Sequence, residues 1–223
     1  MRTVIFDLDG TLADTSGDLI AAANACFRAL GHGAMLDPAR DAATAFAGGR
    51  AMLRLGFGRL GTGWTEADVD AQYPLLLESY GADILIHTTL YPGAVEAVEA
   101  LRRADFAVGI CTNKPAGLAE ALLARLGIRE LFASMVGADS YPVRKPDPLP
   151  YRQAVALAGG VLERSFLVGD TITDVQTARA AARPVALVTF GPEGRAVERM
   201  APDALLDRFA DLPGMAPGLA DRA

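Results

Sequence analysis

The amino-acid pattern predicts an α/β protein with a doubly wound parallel sheet, into which an all-helical cap domain is inserted. Three observations carry that prediction. A short apolar strand ends on an acid close to the N-terminus. Residues 15–86 then show helical periodicity and no convincing strand. From residue 87 onward, short apolar runs alternate with amphipathic segments of helix length. Alternation at that spacing makes right-handed crossover units and hence a parallel sheet covered on both faces. The expected division is a core of residues 1–14 and 87–223 and a cap of residues 15–86.

Residues 4–7, Val4-Ile5-Phe6-Asp7, read as a buried strand of the parallel-sheet kind. Thr15 with Asp18 has the spacing of a capping box, after which Leu19, Ile20, Ala23, Phe27 and Leu30 recur helically until Gly31. Asp37-Pro38 opens a second helix that ends at Gly48-Gly49, and a third carries Met52, Leu53 and Leu55. Thr65 and Asp68 start a fourth, with Val69, Tyr73, Leu76 and Tyr80 on one face; Pro74 is expected to kink it. After His87, Pro92 starts a helix with Val95, Val98 and Leu101 inward. The expected order is then strand 107–111, helix 115–126, strand 135–137, helix 149–158, strand 166–169, helix 174–181 and strand 185–188. The Ala-, Pro- and Gly-rich tail beyond Pro213 is expected to fray. Asp105 and Ala182-Arg183 stand at helix ends that usually carry glycine, and a left-handed Ala or Arg there costs about 1 kcal/mol.

Hydrophobic residues at 51% and charged residues at 22% are the balance of a folded globular chain. A formal net charge of −6 argues against nucleic acid, which needs clustered positive charge. No apolar stretch has the length of a membrane span, and the N-terminal apolar run is too short for a secretory signal. Cys26 and Cys111 lie in apolar-periodic segments and read as buried thiols, so a reducing, cytoplasmic setting is expected. The basic residues are nearly all arginine; the lysines are Lys114 and Lys145.

Four expected strands run into polar residues that a buried strand does not need. They are Asp7-Leu8-Asp9-Gly10-Thr11, Thr112-Asn113, Arg144-Lys145-Pro146, and Gly169-Asp170-Thr171 with Asp174 beyond. In a parallel sheet all four converge on one rim, the carboxyl end where such sheets bind ligands. Asp7 and Asp9, two residues apart, point to the same side and repel unless something compensates them; a cation is the simplest answer. Several carboxylates, hydroxyls, an amide and a lysine are what phosphoryl transfer by an acidic nucleophile requires. A carboxylate attacking phosphorus divides one displacement into two. Mg²⁺ takes hard oxygen ligands and offsets the repulsion between nucleophile and phosphate. Donors around the phosphoryl oxygens supply positioning and electrostatics.

In this order, "DLDGTL", "CTNKP", "RKPDP" and "GDTITD" resemble the four motifs of the haloacid dehalogenase superfamily. The chain is most similar to the phosphoglycolate phosphatase-like branch, which has a helical cap inserted after the first motif. The similarity extends through "LYPGAVEAVEALRRA", "GADSYPVRKPDP" and "APDALLDRFADLP". The resemblance implies a Mg²⁺-dependent phosphatase that hydrolyses a small phosphate monoester through an aspartyl phosphate, with phosphoglycolate the leading substrate. In that scheme Asp7 is nucleophile and Mg²⁺ ligand. Asp9 protonates the leaving oxygen, later activates water, and lends its carbonyl to the metal. Thr112 and Asn113 bind the phosphoryl group, Lys145 balances its charge, and Gly10 and Thr11 let backbone amides approach it. Asp170 is a further metal ligand, with Asp174 in support. The expected partner is a small phosphorylated metabolite, handled by a monomer or homodimer without nucleic acid or membrane.

Other activities of the superfamily fit less well. A hydrolytic dehalogenase is expected to lack the second acid of the first motif, and Asp9 is present. A phosphonate hydrolase needs a cap lysine, and no lysine precedes Lys114. A sugar phosphomutase shares the core and stays open as the alternative. A non-catalytic binding protein typically loses an acid or the lysine, and none is missing. Arg50, after Gly48-Gly49 in the cap, is either a solvated arginine or a fork for a substrate carboxylate. Lys114 reads as a solvated residue at a helix start, Asp14 as a cap or linker residue, and His32 and His87 as surface or linker residues.

Overall fold

The computed structural model describes residues 1–222. Strand β1 (Thr3–Phe6) is followed by a two-stranded ribbon of β2 (Ala13–Asp14) and β3 (Thr89–Leu90). After it come β4 (Ala107–Cys111), β5 (Ser134–Val136), β6 (Ser165–Gly169), β7 (Val185–Val188) and β8 (Ala204–Leu206). The main sheet has six strands in the order β5-β4-β1-β6-β7-β8, with every neighbouring pair parallel. Strands β1, β4, β6 and β7 are buried at every residue, which is why their sequences, after Thr3 and Ser165 at the starts of β1 and β6, are apolar without alternation. Phe6 stands level with Ile110 on one side and Val168 on the other, so the three central strands stop at a common height. Chain order reverses across β1, the switch point at which a doubly wound sheet opens a crevice.

The chain divides into two compact units, residues 1–13 with 90–223, and residues 14–89. The second is built from α1 (Ser16–Ala29), α2 (Pro38–Phe46), α3 (Gly49–Leu60) and α4 (Glu66–Ala82). Asp37 caps α2 by accepting from the Ala39 amide at 2.9 Å, and Thr65 with Asp68 forms a capping box at α4. Phe27 meets Phe57 edge-on at 5.2 Å between centroids, and Trp64 stacks on Phe57 at 6.0 Å. Helix α4 continues through Pro74, with Val69, Leu76 and Tyr80 buried on its inner face. The capping box expected at α1 does not form, because Thr15 makes no side-chain cap bond. Asp18 is buried and instead accepts from the amides of Ile86, His87 and Thr88 at 3.2, 2.8 and 2.9 Å, and from the Thr88 hydroxyl at 2.7 Å. The returning chain offers this carboxylate four donors, more than a helix end can. Asp14 takes the neighbouring task, accepting from the Ser16 amide at 3.0 Å and its hydroxyl at 2.6 Å.

The sheet is covered by α5 (Ala94–Arg103), α6 (Ala116–Arg125), α7 (Pro148–Leu157), α8 (Ile172–Ala180) and α9 (Leu212–Ala220). Ile5, Cys111, Tyr151, Leu167, Val175 and Leu187 belong to one core cluster beneath them. Asp105 and Ala182 adopt left-handed φ values of 57° and 56°, as their helix-end positions imply, and Ala201 does so at 53° without a sequence signal. The tail does not fray. Helix α9 packs on α5, β1 and β6, burying Leu212, Ala216, Leu219 and Ala220. Asp221 beyond it pairs with Arg2 and, at 3.0 Å, with Arg164. Apolar burial there outweighs the poor helix propensity of its glycines and Pro217. Among the described residues, no helix is long and apolar enough to cross a membrane.

Candidate active site

Asp7 follows the last residue of β1, and its amide donates to the Val168 carbonyl of β6 at 2.9 Å, so the sheet still holds the residue. Its Oδ1 accepts from the Leu8 amide at 2.7 Å, while Oδ2 lies 2.8 Å from the Lys145 ammonium. Lys145 reaches in from the loop after β5, with 1% of its side chain exposed, and its Nζ is also 2.7 Å from Asp174 Oδ1. Asp170, one residue past β6, accepts from the Thr11 hydroxyl at 3.0 Å. Asp174 uses its second oxygen for the turn into α8, accepting from the Thr171 amide at 3.1 Å and hydroxyl at 2.8 Å. It is therefore both a helix cap and a member of the acidic group. Gly169 is required beside it: a Cβ there would come within 2.3 Å of Asp174 Cγ.

Each of Asp7, Asp170 and Asp174 offers an oxygen within 4.8 Å of the others. Burial pushes Asp7 up to about 6, and the Asp174 charge adds to that while Lys145 opposes it. Burial, then Asp174 and Asp7, raises Asp170 well above the usual carboxylate range. Lys145 is held above the usual ammonium range because Asp174 and Asp7 outweigh its desolvation. Three buried hard-oxygen donors with one ammonium among them fit a divalent cation such as Mg²⁺, whose charge would offset what Lys145 leaves uncompensated.

Thr112 and Asn113 continue β4 onto the same rim. The Thr112 hydroxyl accepts from the Lys114 amide at 3.2 Å, and Asn113 Nδ2 donates to the Lys145 carbonyl at 3.0 Å, tethering the loop that carries the lysine. Gly10 turns with a φ of 78°, and its carbonyl faces Gly191 from the loop after β7. Arg50 belongs to the helical unit, at the first turn of α3, where it pairs with Asp70 and lies 4.3 Å from the Tyr73 ring centroid.

Lys114 differs from its expected surface role. Its side chain is 2% exposed, and its Nζ is 2.8 Å from both oxygens of Asp9. The signal that could have found it is compositional: a chain that uses arginine almost everywhere places its two lysines next to rim motifs.

A model of the haloacid dehalogenase-like hydrolases matches residues 1–182. The phosphoglycolate phosphatase of Agrobacterium fabrum is 37% identical over 210 residues, 93% of this chain and 89% of that protein. The phosphoglycolate phosphatase of Caulobacter vibrioides is 34% identical over 212 residues, covering 95% and 89%. A crystal structure of a predicted phosphoglycolate phosphatase from Haemophilus somnus superposes with a TM-score of 0.84 at 25% identity, covering 96% of this chain and 97% of that one. CbbY from Rhodobacter sphaeroides, crystallised as a mutant with xylulose-(1,5)-bisphosphate, superposes with a TM-score of 0.76 at 25% identity, covering 95% and 96%.

Proposed function

The chain belongs to the haloacid dehalogenase-like hydrolases, in their phosphoglycolate phosphatase-like branch, and is a phosphoric monoester hydrolase; we propose that it cleaves a small phosphate monoester, foremost phosphoglycolate, through an aspartyl phosphate on Asp7. The observation that carries this reading is Asp7 itself. It is a buried carboxylate at the end of the central strand, with an ammonium at 2.8 Å and two further carboxylates within 4.8 Å.

In this mechanism an Asp7 oxygen attacks phosphorus, and the bond to the leaving oxygen breaks as that oxygen takes a proton from Asp9. Asp9 then takes a proton from the water that attacks the acyl phosphate, releasing phosphate and restoring Asp7. Lys145 keeps the nucleophile's charge balanced as phosphate approaches, and Thr112 and Asn113 donate to the phosphoryl oxygens. Asp7, Asp170 and Asp174, with the Asp9 carbonyl, would hold Mg²⁺, which when bound supplies positive charge against carboxylate–phosphate repulsion. The test is phosphate release from phosphoglycolate, sugar phosphates including a sugar bisphosphate, and p-nitrophenyl phosphate, each with Mg²⁺ and with EDTA. Full turnover in EDTA would remove the metal from the mechanism. A panel in which phosphoglycolate ranks below the sugar phosphates would move the substrate to that class, and product retained as an isomeric sugar phosphate would favour a mutase.

Arg50 is proposed as the selector of substrates that carry a carboxylate. Its pair with Asp70 is exposed at 35% and 64% of the two side chains, so exchanging Asp70 for a substrate carboxylate sacrifices at most about 1 kcal/mol. Arg50→Ala should lower kcat/KM on phosphoglycolate by about 10- to 150-fold, while sparing p-nitrophenyl phosphate. Arg50→Lys should rescue little, because a point charge lacks the planar fork. Equal losses on both substrates would assign Arg50 to folding.

A further inference from the structure

We propose that Lys114 is the positioning residue for Asp9, holding its carboxyl group in place for the proton it gives to the leaving oxygen and then takes back from water. The inference rests on the acid–base role given to Asp9 above. Among the described residues, every ion pair other than those of Lys114 and Lys145 uses arginine, and in those pairs the arginine side chain keeps at least 29% of its surface exposed. Lys145 and Lys114 keep 1% and 2%. Burying an ammonium is costly, and one good ion pair rarely repays it in stability.

The geometry of the pair is that of a fixed strut. The Lys114 amide donates to the Thr112 hydroxyl at 3.2 Å, and its carbonyl accepts from the Ala138 amide at 2.9 Å, so the backbone from which the side chain springs is tied to β4 and to the loop after β5. At the other end Nζ stands 2.8 Å from each Asp9 oxygen, which anchors that carboxyl group by both of its oxygens. Asp9 needs such support. It stands in the turn after β1, before the left-handed Gly10, where an isolated bridge to Ala13 holds its backbone and not its side chain. Its side chain keeps 18% of its surface open, so the carboxylate is held without being sealed off. Proton transfer depends steeply on placement, and an error near 1 Å can cost about 100-fold.

The test compares wild type, Lys114→Met, Asp9→Asn and the double variant in single turnover, so that the first bond cleavage is read alone. Two substrates are used. p-Nitrophenyl phosphate releases a stable phenolate that needs no proton, and phosphoglycolate releases an alkoxide that does. Lys114→Met should slow glycolate release about 10- to 100-fold while changing p-nitrophenolate release by less than about threefold. In the Asp9→Asn background the same substitution should change glycolate release by less than about twofold, because a residue acting through Asp9 has nothing left to position. Equal slowing of both leaving groups, or a full effect that persists without the Asp9 carboxylate, overturns the proposal. Lys114→Gln is the second variant, and the comparison uses whichever keeps the wild-type circular dichroism; if neither folds, the pair is structural and the proposal fails. Asp9→Asn alone reports on the underlying reading. If it shows no dependence on leaving group, the role of Asp9 is wrong; if it does and the Lys114 variants do not, only the present inference falls.

Discussion

Replacing Lys145 by methionine removes the ammonium between Asp7 and Asp174 while keeping a side chain of similar length, so the packing loss is small. What remains is electrostatic. Three buried carboxylates within 4.8 Å of one another lose the charge that lies 2.8 Å from Asp7 and 2.7 Å from Asp174. In the wild type, burial already pushes Asp7 up to about 6 and raises Asp170 well above the usual carboxylate range, and Lys145 opposes both shifts. Without it both rise further. A carboxyl group whose folded value exceeds its unfolded value holds protons that the unfolded chain has released. Stability therefore falls as pH climbs from about 4 through the folded value. At about pH 8 the metal-free variant should be less stable by about 3–5 kcal/mol, the usual loss on breaking a buried ion pair, or about 6–20 °C in Tm. Near pH 5 the raised groups, Asp7 and Asp170, are largely protonated, and the loss should shrink to about 1 kcal/mol. Added Mg²⁺ should recover part of the loss at the higher pH by supplying the missing charge. Thermal unfolding of EDTA-treated wild type and variant at both pH values, then with Mg²⁺, measures all of this. The same loss at both pH values would mean that Lys145 acts through the packing of its stem, and the electrostatic account of the cluster would be refuted.

Asp7→Asn should reduce phosphate release to background, because an amide is not a competent nucleophile, while Tm in EDTA stays within a few degrees of wild type; retained turnover would exclude the acyl phosphate. Asp18→Ala should cost about 2–4 kcal/mol, since it strips four donors of a buried acceptor, and should open residues 86–88 to protease; unchanged proteolysis would show those amides satisfied elsewhere. Truncation before Leu212 exposes the surfaces that Leu212 and Leu219 cover, at roughly 1.5–3 kcal/mol for each leucine, so the shortened chain should melt at least about 6 °C lower or be insoluble. A truncated chain with wild-type Tm would show that α9 adds nothing to the core.

The α/β class and most elements were legible because their signals are local. Residues 107–111 and 185–188 read as strands from unbroken apolar runs, and the structure ends β4 and β7 at those residues. Asp37-Pro38 and the pair Thr65 and Asp68 announced their helix starts by the same short-range chemistry that forms them. Thr15 and Asp18 show the same spacing and failed as a cap, because a distant segment, residues 86–88, outcompeted the helix end for the carboxylate. The tail misled for a related reason. Its composition is poor for a helix by itself, and burial against α5, β1 and β6 reverses that judgement.

The sequence by itself determined which residues end the strands on polar groups, and therefore that acids, hydroxyls and lysines would gather on one sheet rim. The tertiary structure alone decided how those groups pair. Lys145 goes to Asp7 and Asp174, and Lys114, which nothing local distinguishes from a surface lysine, goes to Asp9. Pairing of buried charges depends on which strand ends adjoin, and that follows from the order β4-β1-β6, a consequence of long-range packing that no residue's neighbours in sequence encode.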